Sequence, residues 1–175
     1  NDLIDCVEQE KNVQTITIKD GLGQVLKIEY YVPIIDLQLL WHPTADGVLF
    51  LKNEWDQGIT TRLNQSLPIL CLLNQNNKSL FSLAVNELVN ELELTVGVHE
   101  ESASVKITIE TLIPVKNYTI NVSIMDDEKP WFEIVREQVY WLYQESSAHL
   151  PQLPDASFDP VLSTWYSFHQ NMTSD

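Results

Sequence analysis

The chain has 175 residues, with 25 Asp and Glu against 10 Lys and Arg and a formal net charge of -15 at pH 7. So acidic a chain cannot assemble the basic patch that phosphate backbones and anionic lipid surfaces demand, which sets nucleic acid and membranes aside as partners. Its 44% hydrophobic share suffices for one core of ordinary domain size, and no run approaches the roughly 20 apolar residues that cross a bilayer.

Alternation of apolar and polar residues predicts strands at 13–19, 25–32, 47–51, 68–73 and 80–86. Asp20-Gly21 and Asp46-Gly47 supply residues that tolerate positive φ in hairpin turns, and Asn74 to Asn77 is a polar turn of the same chemistry. The clearest alternation follows, with Leu92, Leu94, Val96 and Val98 set against Glu93, Thr95, Gly97 and His99. Val105, Ile107 and Ile109 continue it, then Tyr118, Ile120, Val122 and Ile124. Each run puts an apolar row on a core and a polar row in water, as an antiparallel sheet with one solvated face requires. About eight to ten short strands of this kind predict a mainly β fold, an antiparallel β-sandwich.

The pattern changes at Asp126. Asp126, Asp127 and Glu128 precede Pro130, negative charge suited to the first turn of a helix. Trp131, Ile134, Val135, Val139 and Leu142 then fall at helical spacing, broadened by Trp141 and Tyr143, and predict one amphipathic helix over about 131–146. Leu150-Pro151-Gln152-Leu153-Pro154 and Asp159-Pro160 read as a stiff connector, and residues 161–168 as a buried strand. The expected division is a sandwich over 1–126, a linker helix and Pro-rich connector over 127–160, and the start of a further domain over 161–175.

Little chemistry is visible. Cys6 and Cys71 form no CxxC pattern and read as reduced thiols; with no basic and apolar leader at the N-terminus, a cytoplasmic location is expected. Gly21-Leu22-Gly23 lacks the third glycine and the following helix of a dinucleotide loop. His42, His99, His149 and His169 show neither HExxH nor HxH spacing, so no metal and no cofactor are expected. A glycosidase needs two carboxylates facing one sugar ring, roughly 5–10 Å apart on rigid elements. Glu100-Glu101 and Asp126-Asp127-Glu128 sit instead in predicted turns, where acids are solvated, so no catalytic residue is assigned. Trp41, within Trp41-His42-Pro43, and Trp55 leave two roles open, core packing or stacking on a sugar ring. The sequons at Asn64, Asn77, Asn117, Asn121 and Asn171 read as accidental.

The run Pro160-Val161-Leu162-Ser163-Thr164-Trp165-Tyr166-Ser167-Phe168-His169-Gln170 resembles the beginning of the catalytic barrel in α-galactosidases of glycoside hydrolase family 36. In that family a β-sandwich precedes a (β/α)8 barrel whose first strand carries a Ser-Trp-Tyr or Thr-Trp-Tyr signature. The segments 67–73, 79–85 and 94–101 look like its sandwich, and the helix after Pro130 like its linker helix. The resemblance implies a chain truncated just as the barrel begins. It implies that Trp165 and Tyr166 line a galactose pocket at the C-terminal end of the first barrel strand, and that Trp41 closes it. The family's catalytic aspartates lie on later strands and have no counterpart here. The expected role is therefore a non-catalytic domain of a retaining α-galactosidase, with an α-galactoside as the parent's substrate and a homo-oligomer as its assembly. A stand-alone sugar-binding sandwich on Trp41 or Trp55, or a structural interaction domain, is the alternative.

Overall fold

The computed structural model describes residues 6–10, 12–18, 23, 25–43, 47–53, 59–62, 67–87, 92–145 and 154. Among these the strands are β1 (Cys6–Glu10), β2 (Val13–Ile18), β3 (Lys27–Pro33), β4 (Leu39–Trp41), β5 (Leu49–Phe50), β6 (Ile59–Arg62) and β7 (Ile69–Leu73). They continue as β8 (Lys78–Val85), β9 (Leu92–His99), β10 (Ser104–Thr111), β11 (Tyr118–Met125) and β12 (Lys129–Pro130), and helix α1 (Trp131–Glu145) follows. One sheet runs β1-β2-β11-β8-β7-β4-β5, with β12 also pairing β8; the other runs β3-β10-β9-β6. All these strand pairings are antiparallel.

The alternation in the sequence sets the first interface. Leu92, Leu94 and Val96 on β9 and Val105, Ile107 and Ile109 on β10 turn inward to meet Leu70 and Leu72, Leu83 and Val85, and Ile120 and Val122 from the larger sheet. The other row of the smaller sheet faces water. There Glu29 receives Lys27 and Lys106, each at 3.2 Å, and the Tyr31 hydroxyl at 3.2 Å. Partial burial opposes ionisation of Glu29, but these three donors outweigh it and hold its carboxyl below the usual range.

Part of the larger sheet is covered on its second face as well. Ile69, Cys71 and Leu73 point away from the sandwich core and pack under α1, against Leu142 and Ile134. Every residue of β7 is thereby buried, which is the physical reason for its unbroken apolar run: a strand covered on both faces has no polar row. The fold is a β-sandwich carrying a helix as a third layer. Burial pushes the Cys71 thiol up to about 12, so it stays a protonated, inert packing group at neutral pH.

Two local readings differ from expectation. Asp126 to Glu128 form an exposed loop, and Lys129–Pro130 pairs with Lys78 and Ser79 as β12 before the helix begins at Trp131. The acid inside the first helical turn is Glu133. The turn between β7 and β8 is built as expected: Asn74 Oδ1 accepts from the Asn76 and Lys78 amides at 2.9 and 3.1 Å, and Asn77 takes φ 58°.

Candidate functional site

Of the residues the sequence singles out for sugar contact, Trp41 lies at the end of β4, on the helix side of the larger sheet. Its ring stacks on Trp131 with centroids 5.1 Å apart and planes 28° from parallel, and Phe132 meets Trp131 edge-on at 6.1 Å. One face of the Trp41 indole is thus taken by the helix, so packing is a role it fills here. Trp165, Tyr166, Trp55, His149, His169, Asn64 and Asn171, like the turn at Asp20-Gly21, lie outside the described residues.

His42 follows Trp41 and is only 5% exposed. Desolvation lowers its pKa below the ordinary 6.5, so it packs as a neutral imidazole. Because the folded value lies below the unfolded one, the unfolded chain takes up more protons as pH falls through about 6.5. The stability held above that pH is therefore lost below it. Urea midpoints of the parent should fall faster between pH 7 and pH 5 than those of His42→Gln; parallel pH profiles would refute the assignment.

The turn acids behave as solvated groups: Glu100, Glu101, Asp126, Asp127 and Glu128 are all exposed. Glu100 accepts from Asn53 Nδ2 at 3.2 Å, and Glu128 pairs with Lys78 at 2.9 Å. Among the described residues, no group of three or more His, Cys, Asp or Glu is arranged to hold a metal ion. Among them, too, no helix is long and apolar enough to cross a membrane.

Two concave sites stand out. The first, about 310 Å³, lies beside the β7–β8 turn and is lined almost wholly by acids and amides, Asp36, Gln38, Asn74 and Glu128 among them. None of its described lining residues is aromatic. The second, about 520 Å³, opens where the C-terminal half of α1 overhangs β2 and β11. Helix α1 packs on β7, β8 and part of β11, and beyond its edge the sheet face is polar. Glu10, Asn12, Thr15, Asn121, Trp141 and Glu145 line this groove. Asn121 is held from three sides: its amide nitrogen reaches Glu145 at 2.8 Å, its backbone N–H donates to Asn86 Oδ1 at 2.8 Å, and its carbonyl accepts the Asn86 N–H at 3.0 Å.

The sequence alone missed this groove. Trp141 reads there as a broadening of the helix stripe, and it does pack on Ile69, Ala84 and Leu142 while also lining the groove. Thr15 and Asn121 are directly paired across β2 and β11, a juxtaposition that strand register creates and spacing does not reveal. Compared with protein-family models, with curated proteins and with solved structures, the chain finds no match.

Proposed function

We propose that this chain is the non-catalytic β-sandwich of an α-galactosidase-like retaining glycoside hydrolase, one that removes terminal α-galactosyl residues from oligosaccharides. The observation that carries the reading is the anchoring of α1 on the sandwich. The helix is anchored on the larger sheet through Ile134, Leu142 and the Trp41–Trp131 stack. It hands the chain to the Pro-rich segment and the Ser163-Thr164-Trp165-Tyr166 motif that resembles a first barrel strand. A helix fixed in this way gives the following domain a defined starting direction.

On this reading the sandwich supports the barrel, Trp165 and Tyr166 contribute to the galactose pocket, and Trp41 helps to close it. The sandwich also helps the parent enzyme form a homo-oligomer. The chemistry belongs to two aspartates beyond Asp175, one forming the galactosyl-enzyme and the other acting first as acid and then as base.

The test is to read the gene past the codon for Asp175 and assay the whole product on p-nitrophenyl α-galactoside. Hydrolysis with retention at the anomeric carbon is expected, and Trp165→Ala should lower kcat/KM by about tenfold or more. A downstream sequence without a (β/α)8 pattern, or a folded product inert toward α-galactosides, would refute the proposal.

A further inference from the structure

The groove beside α1 has a composition that core packing does not call for. It sets the indole of Trp141 among three amides, Asn12, Asn121 and Gln144, and two carboxylates, Glu10 and Glu145. Among its described lining residues there is no Lys or Arg, so an anion would meet two carboxylates there without a compensating cation among them. A neutral polyhydroxylated ring suits both parts of the lining, its C–H face against the indole and its hydroxyls toward amides and acids. A volume of about 520 Å³ falls within the range of small-ligand clefts.

A second observation points the same way. Asn121 Oδ1 is buried and has no hydrogen-bond partner among the described residues, although Glu145 and Asn86 fix the rest of the residue. An acceptor left in that state is disfavoured, and native structures rarely keep one without a use. Gln144 and Glu145 are the exposed members of the lining on the helix.

We infer that this groove is a binding site for a neutral saccharide, with Trp141 as the stacking surface and Asn121, Gln144 and Glu10 as hydroxyl partners. It rests on the groove's own lining, and it stands whether or not the chain belongs to a hydrolase.

The test is titration of the 175-residue chain with galactose, glucose, melibiose and raffinose, read by saturation-transfer NMR and tryptophan fluorescence. At least one sugar should bind saturably with a Kd of roughly millimolar order, and Trp141→Ala should weaken it about tenfold. Because Trp141 also packs on the core, the exposed Gln144→Ala is the companion variant. It should cost roughly threefold in affinity with the unfolding midpoint unchanged. No saturable binding by any of the four up to about 50 mM, well past millimolar affinity, would overturn the site. So would binding that both variants leave intact, or binding abolished by Trp165→Ala and kept by Trp141→Ala. Failure of the longer gene product to hydrolyse α-galactosides would refute only the hydrolase proposal.

Discussion

Replacing Ile134 with Ala should lower the unfolding free energy by about 2–5 kcal/mol, the usual cost of truncating a fully buried aliphatic side chain. Ile134 is 0% exposed and projects from the buried face of α1 against Cys71 and Leu73, with Trp131, Val135 and Met125 around it. The cost belongs in the upper half of that range, because the site has little freedom to collapse. Its neighbours come from a strand buried on both faces, and Trp131 is already committed to Trp41. A 15-residue helix is marginal alone, so α1 depends on a stripe whose buried members are Ile134, Gln138 and Leu142.

Comparison with Ile107→Ala separates the layers. Ile107 is also 0% exposed, but it lies between the two sheets. Both variants should shift the urea midpoint. Amide exchange should tell them apart: Ile134→Ala speeds exchange in α1 first, whereas Ile107→Ala speeds it across both sheets. A loss below about 1 kcal/mol for Ile134→Ala, against the usual cost of such truncations, would mean that the third layer adds little to the fold. The anchored helix that supports the proposed function would then lose its basis.

The sequence reveals this fold wherever a strand keeps one wet face. The runs 92–99, 104–111 and 118–125 alternate cleanly because one row meets the sandwich core and the other meets solvent or a polar interface. Other strands are hidden for reasons that can be named. Leu39–Trp41 has three residues, all apolar, too few to show a period. Cys6–Glu10 holds one aliphatic residue among polar ones, and Val7 is exposed, so no apolar row marks it. Lys129–Pro130 is held by its pairing with β8 rather than by any preference of its own. Residues 69–73 read correctly as a strand, yet their continuous hydrophobicity was also the sign of a layer on the second face. The groove is harder still to read, since it depends on which part of that face α1 leaves bare. Trp141, 20 residues from Asn121 in the chain, shows its second role only once register and helix placement are known.

The buried helix position that hydrophobic spacing passes over is Gln138, and its replacement should expose a conflict within the third layer. Gln138 is 0% exposed; its amide nitrogen donates to Ser82 Oγ at 2.9 Å and lies 3.5 Å from the Ser123 carbonyl. Its Oε1 has no hydrogen-bond partner among the described residues. A hydrogen bond of this kind is worth about 0.5–1.5 kcal/mol net, whereas a buried acceptor left unmet costs about 1–3 kcal/mol. The two nearly cancel or favour removal. Gln138→Met keeps the volume and deletes both terms but leaves the buried Ser82 Oγ without this donor, so the gain and the new cost offset and stability should change by less than about 1 kcal/mol. Gln138→Ala deletes the volume too and opens a cavity between Ser82 and the helix, so it should cost about 2 kcal/mol or more. Thermal and urea unfolding of the two variants decide the matter. If Met costs as much as Ala, the amide network is a net source of stability and the bookkeeping above has the wrong sign. If Met is neutral while α1 exchanges its amides faster, the amide fixes where the helix sits on the sheet more than how tightly it is held.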